Sequence, residues 1–333
     1  MSLIENKDQG QNQSKMLAKL TAQRRRLMSR GLEDLRQWLE NLVRIGLGEL
    51  ERSPEAIIGP LPARLVDAQL KGLSDVLKTW PDWILHDSDW IPKITQSIAY
   101  LHLLIAAGGK IDSLSTGMQE EVLSRLGVNT RTADIKLNSA TTLELFVLAK
   151  DVDVYDNLIQ IKIWFGQSAS PHPILFLAFQ HPRSKPQPEL NNVLRLSIGD
   201  HIKAQAYPYP GIQNPRHVLE DISMLKATSL ANTGAIRLKD LNTYWVEKLQ
   251  ANPFLTDSMF VVTADAIHND GQGKYNLVDG DSAVSVALTQ DALITLSSLT
   301  AHPPIHLLVS YDGHRLDITS FWNNYEYYQL SLI

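Results

Sequence analysis

Thr142-Leu-Glu-Leu-Phe-Val-Leu-Ala149 is where the hydrophobic period of this chain changes. Before it, apolar residues recur every three or four positions, which marks helices. From it onward they alternate or run together, which marks strands. Asn157–Phe165 alternates through Leu158, Ile159, Ile161, Ile163 and Phe165. Pro173–Phe179 is a continuous apolar run, the pattern expected of a strand buried on both faces. Leu194–Tyr207 alternates again, so the spacing predicts an antiparallel meander.

Upstream, Ser14 to about Leu50 is helical, with Leu27, Leu32, Leu35, Leu39 and Leu42 on one face. Gly31 either splits this stretch into two helices or weakens a single one. Pro54, Gly59, Pro60 and Pro62 punctuate a connection. Helical spacing resumes over Ala63–Trp80, stopped by Pro81, then over Trp90–Ala107 and Ser115–Leu126, with Gly127 at a C-cap position. Residues 1–14 are polar and predict a disordered tail.

Downstream, Tyr207-Pro-Tyr-Pro-Gly211 cannot continue a central strand. Pro215–Leu225 and Leu238–Gln250 read as short helices, and Gln290–Leu299 as a third. Strands are expected at Met259–Ala264, Lys274–Val278, Ala283–Leu288, Ile305–Tyr311, Arg315–Ser320 and Tyr327–Leu332. Asp312-Gly313 is a hairpin signal between two of them. The expected class is α+β. A helical bundle over 15–130 is followed by a mainly antiparallel β domain over 138–333 with two or three inserted helices. That β region divides naturally into 138–210 and 255–333, joined by a helical segment.

The composition is that of a globular chain: 333 residues, 44% hydrophobic, net charge -5. A global basic field for nucleic acid is absent, although a local patch is compatible with this balance. There are no cysteines, so disulfides, thiolate zinc sites and a cysteine nucleophile are excluded. No signal peptide and no membrane span are expected, and the absence of cysteine fits a cytoplasmic protein.

Chemistry-bearing patterns are sparse. The ten histidines are dispersed, with no HExxH motif, and no metal or cofactor is expected. His201 adjoins Asp200, but neighbours on a strand point to opposite faces. There is no G-x-S-x-G elbow, Walker A loop or G-x-G-x-x-G helix opening, and Gly271-Gln-Gly273 reads as a turn. A site assembled from distant residues is not visible to sequence reasoning.

Three features are candidates for interaction. Arg24, Arg25, Arg26 and Arg30, with Lys15 and Lys19, would give a helix a positive face for phosphate or acidic protein. The same run also fits a solvated helix face. Trp80, Trp83 and Trp90 would either plug the seam between helices or form a partner surface. Arg64 and Asp67, with Gln69, sit in an apolar helical stretch and suggest a buried ion pair.

Several segments together resemble the C-terminal region of bacterial SWIM zinc-finger family proteins. They are Gly31–Leu47, Ala63–Leu73, Ile174–Phe179 with Tyr207–Gly211, Asn252–Leu255 with Tyr275–Asp281, and Tyr311–Trp322. Without cysteine, no zinc ligand of the family's N-terminal finger carries over. The resemblance implies an accessory, non-enzymatic interaction or scaffold protein. Its implied partner is an AAA-type ATPase or a von Willebrand A-type domain protein. Nucleic acid contacted through the basic helix is the alternative.

Overall fold

The computed structural model describes residues 14–155, 158–168, 170–181, 183, 188–226, 233–269, 275–286, 288, 290–299, 303–323 and 327–330. It divides into two compact units: residues 1–131 with 210–213, and residues 132–209 with 214–333.

The helical unit contains α1 (Lys15–Ala18), α2 (Ala22–Ile45), α3 (Leu47–Arg52), α4 (Pro54–Ile58), α5 (Leu61–Asp67), α6 (Lys71–Lys78), α7 (Trp80–His86), α8 (Trp90–Gly109) and α9 (Thr116–Leu126). Ser14, assigned to the tail by composition, is buried and caps α1 by accepting from the Leu17 N–H at 3.1 Å. The rest of that segment lies outside the described residues.

The helix α2 is unbroken across Gly31. A Cβ there would lie 2.5 Å from the Ala68 Cβ and 2.7 Å from Leu70 Cδ1. The glycine therefore serves close packing rather than a break. The Pro- and Gly-punctuated connection is itself helical, as α3 to α5. Proline occupies the first turn of α4, α5 and α7, where its missing N–H costs nothing. Gly127 takes the left-handed C-cap of α9, with φ 97°. The core is a leucine seam including Leu35, Leu65, Leu73, Leu77, Leu101 and Leu104, all buried.

The second unit opens with α10 (Thr132–Ile135) and then builds two barrels. The first has β1 (Thr141–Tyr155), β2 (Leu158–Gln167), β3 (Ser170–Gln180), α11 (Pro188–Leu194), β4 (His201–Pro208) and β5 (His217–Met224). The order across the sheet is β3-β2-β1-β4-β5. Its free edges meet: Leu175 on β3 bridges Arg216 in parallel, and the Leu175 N–H donates to the Pro215 carbonyl at 2.7 Å. Leu145, Ile161, Ile163, Phe165 and Ile202 fill the interior, and Leu190 and Val193 of α11 pack with them.

A short parallel strand β6 (Ile236–Arg237) and α12 (Leu241–Ala251) precede the second barrel. That barrel contains β7 (Ser258–Ala264), β8 (Ala266–Asn269), β9 (Tyr275–Asp279), β10 (Ser282–Val286), α13 (Gln290–Leu299), β11 (Ile305–Tyr311), β12 (Leu316–Trp322) and an added β13 (Tyr327–Gln329). Only Asp265 separates β7 from β8, so the two act as one bent strand. It pairs with β11 through β7 and with β9 through β8, while β10 and β12 join in parallel. The circuit closes. Phe260, Val262, Leu277, Leu307 and Val309 fill it, with Trp245 from α12 packed among them.

Both barrels thus have β-β-β-α-β-β chain order, a first strand shared between the second and fourth, and a parallel third–fifth closure. This is the oligonucleotide/oligosaccharide-binding Greek-key barrel. The two pack through outward-facing residues, Phe146, Leu148 and Trp164 of the first against Val261, Leu308 and Trp322 of the second.

Several expectations are corrected. Pro215–Leu225 contains a strand, because β5 pairs antiparallel with β4 and buries Val218 and Leu219. Pro173–Phe179 is not buried on both faces. β3 has only a short closure beyond β2, and Phe179 is 54% exposed. The strand expected from Leu194 begins only at His201. Arg64 and Asp67 form no buried pair: both are exposed, and Arg64 donates to Asp34 at 2.6 Å instead. Gly271–Gly273 lies outside the described residues.

Candidate functional site

The helical unit holds a cleft of about 660 Å³. Its floor is apolar, with Leu17 of α1, Met28 and Leu32 of α2, Ile105 of α8, and Leu123 and Leu126 of α9. Gly108 narrows the approach of α8 to α2, since a Cβ there would lie 2.7 Å from Leu32 Cδ1. Arg25, Glu33, Arg36, Lys110 and Asp112 form the rim. The volume suits a few apolar side chains of a ligand, and groups of alternating charge can orient it.

The rim charges are organised. Arg25 donates to Asp112 at 3.2 Å and to the Leu17 carbonyl at 3.0 Å. Arg36 donates to Glu33 at 2.5 Å and also contacts Glu40. The hydrogen bond from Arg36 holds the Glu33 carboxyl down at about 2.

The basic run is spread around α2 at about 100° per residue. Arg25 reaches the cleft rim. Arg24 is half-buried, and its Nε has no partner. Arg26 and Arg30 are exposed, with no ion pair among the described residues. The tryptophans are also separated. Trp80 is fully buried, donates to Ser97 Oγ at 2.9 Å and lies 6.0 Å from the Trp38 ring. Trp90 is buried at the start of α8, and Trp83 is half-buried on α7. His201 and Asp200 do not converge. The His201 ring stacks on Phe146 at 4.3 Å, while Asp200 accepts from the Ser197 N–H at 2.7 Å.

The cleft and the packing around Gly31 fall within one recognisable module. Residues 23–126 match the SWIM-associated four-helix bundle domain. That stretch of the helical unit is similar to the SWIM-associated four-helix bundle. The SWIM-associated bundle covers the first two motif segments behind the resemblance, Gly31–Leu47 and Ala63–Leu73, and supplies the expected helical front half of an α+β chain. The later motif segments lie beyond the matched residues. No curated protein matches the chain. Among solved structures, a replication protein A heterotrimer bound to ssDNA is similar at 12% identity with a TM-score of 0.28. The match takes in 55% of this chain and 49% of that one, so this chain spans about half the length of that relative.

Sequence reasoning missed a buried amine in the second unit. Lys248 of α12 is buried, donates to Ser258 Oγ at 2.8 Å and lies 5.2 Å from the centre of the Phe260 ring. Burial pulls its pKa down to about 8. His172 sits 5.6 Å from Phe260, and burial together with the Lys248 charge pulls it down to about 4. Lys248 lies seven residues after Leu241 and three after Trp245, on the buried face of α12, so the spacing marks the position as interior although the residue type does not, while Leu249 is exposed. Among the described residues, no group of three or more His, Asp or Glu is placed to hold a metal, and no helix is long and apolar enough to cross a membrane.

Proposed function

We propose that this chain is a non-enzymatic protein-interaction accessory of the cytoplasm, and that the α2–α8–α9 cleft receives an acidic amphipathic segment of its partner. The observation that carries this reading is the apolar cleft beside a run of six cations. Lys15, Lys19, Arg24, Arg25, Arg26 and Arg30 occur with no Asp or Glu anywhere from Ser14 to Leu32. An amphipathic helix laid in such a groove buries its apolar face and sets its carboxylates against the cations. The family resemblance points to an AAA-type ATPase or a von Willebrand A-type domain protein as the partner, in a scaffold role.

The test is affinity capture of the tagged chain from its native cells with nuclease treatment, set beside Ala106→Glu. Ala106 is exposed at the cleft, so the added carboxylate repels an acidic ligand without entering the core. The expected result is a defined partner at stoichiometric yield, resistant to nuclease and lost with Ala106→Glu. A partner retained by the variant removes the cleft from the reading. The exposed, unpaired Arg26 and Arg30 favour a second reading, phosphate contact along α2. It predicts nuclease-sensitive recovery that falls when both become Ala.

A further inference from the structure

The barrel fold by itself decides nothing about a ligand, because one architecture hosts many functions. The outer side chains of the first barrel are more informative. Across β1, β2 and β3, outward residues pair in rows: Ala149–Trp164–Leu175, Asp151–Lys162–Leu177 and Asp153–Gln160–Phe179. The second barrel covers the first row, since Ala149 and Trp164 are buried against it. The other two rows stay open. Asp151 is held there by Gln329 Nε2, which donates at 2.8 Å.

The open part carries an unusual set. Phe179 presents a ring that is 54% exposed, though nothing requires a phenylalanine to face water at that point. Lys162 stands diagonal to it, across from Leu177. On the other side of β3, the Arg216 guanidinium lies 4.2 Å over the Tyr209 ring and donates to the Leu177 carbonyl at 3.3 Å. That contact fixes its charge beside the strand. Just past the end of β3, Arg183 is exposed with no ion pair among the described residues. One exposed ring thus has Lys162 diagonal to it, Arg216 fixed at Leu177 two residues back along the same strand and Arg183 just past the strand end, on the second- and third-strand face that this barrel type uses for ligands. Asp151, directly across from Lys162, and Asp153 are the opposing charges on the face, and against three cations they leave the local balance at one positive charge.

We propose that this face binds single-stranded nucleic acid, with a base stacked on Phe179 and phosphates met by Lys162, Arg183 and Arg216. A flat ring accepts any base, and spaced cations track a flexible backbone, so the binding is expected to tolerate sequence. A duplex cannot offer an unstacked base and is expected to bind more weakly.

The test is fluorescence anisotropy of the full chain with labelled oligothymidylate or oligouridylate of about 15 nucleotides, a length in the range one such barrel occupies. Binding should weaken with salt at a logarithmic slope of about 2, for three phosphate contacts. Phe179→Ala should weaken it about tenfold, in line with one lost stack. Lys162→Ala with Arg183→Ala should lower the salt slope. Arg44→Ala, at an exposed cation of α2 outside the basic run, should leave it unchanged. Absence of binding up to about 100 µM protein, the weak end of non-specific association, overturns the proposal. So does binding retained by Phe179→Ala and lost when Arg26 and Arg30 both become Ala, which assigns the contact to α2 instead. Phe179 is exposed, so its variant is expected to keep the wild-type circular dichroism and melting curve.

Discussion

Replacing Lys248 with Met should stabilise the second unit at neutral pH, and the gain should disappear in alkali. In the folded chain the amine is buried, with Ser258 Oγ as its hydrogen-bond partner and the Phe260 ring beneath it. Its pKa falls from the usual 10.5 to about 8. Above pH 10.5 the amine is neutral in both folded and unfolded chains, and its burial carries no charge penalty. Between 10.5 and 8 the unfolded chain takes up the proton and the folded chain does not, so wild-type stability falls as pH falls. Below 8 both are protonated and the penalty is constant, at about 3 kcal/mol for a shift of this size. Met fills similar space without charge. The lost hydrogen bond costs about 1 kcal/mol, which leaves a net gain of about 2 kcal/mol at pH 7. Urea midpoints followed by tryptophan fluorescence at pH 7, 9 and 10.5 measure this. The variant should exceed wild type at pH 7 and lose its advantage by pH 10.5. Parallel pH profiles for the two proteins would mean that the amine is solvated, and the reasoning would fail.

The remaining predictions concern packing and acid. Gly31→Ala should cost about 1–2 kcal/mol, because overlap with Ala68 and Leu70 outweighs the better helix propensity of alanine. Gly48→Ala on α3, where a Cβ meets nothing within 4 Å, should instead be neutral or stabilising, and equal melting shifts for the two would contradict the packing argument. His306 is buried with its Nδ1 unpartnered and stacks 5.8 Å from Trp322, and burial pulls it to about 4. The unfolded chain therefore takes up that proton first, and wild-type stability drops as pH falls from 6.5 to 4. His306→Phe should remove up to about 3 kcal/mol of this loss, seen as a shallower acid arm in the melting profile. Trp80→Ala should cost about 3–5 kcal/mol in the helical unit, and Trp83→Ala, at a half-buried site, clearly less.

Much of the fold was legible because much of it is local. The 3.6-residue period located α2, α8 and α9, and the Asp312-Gly313 turn located the β11–β12 hairpin. What was missed depends on distant partners. Val218, Leu219, Ile222 and Leu225 are spaced as in a helix, yet pairing with β4 makes most of that stretch a strand. The run at Pro173–Phe179 promised two buried faces, but its outer row beyond Leu175 is left uncovered by the second barrel. The barrels themselves were invisible, because β1 finds β4 more than fifty residues away and each closure is made by a third–fifth strand pairing. The basic run was plain in the sequence. Its division into a rim residue, a half-buried residue and two exposed ones required the helix to be set against α1 and the α8–α9 turn. Lys248 continues the Leu241–Trp245 spacing, but a lysine near a helix end usually reads as solvated, and its type hid the position.

The helical unit is discontinuous in the chain, and that bears on how it can be cut out. Pro210–Gln213 belong to it although they arrive from a loop some eighty residues later. The Ile212 N–H donates to Glu121 Oε2 at 3.1 Å, and Gly211 supplies a backbone hydrogen bond to Glu120. Glu121 is itself buried and accepts from Arg125 Nε at 2.9 Å. A recombinant fragment ending at Arg131 would contain every helix of the SWIM-associated bundle and still leave one oxygen of that buried carboxylate without its donor. Excision along the boundaries of the matched family would yield a module that is whole in sequence and incomplete in its hydrogen bonding.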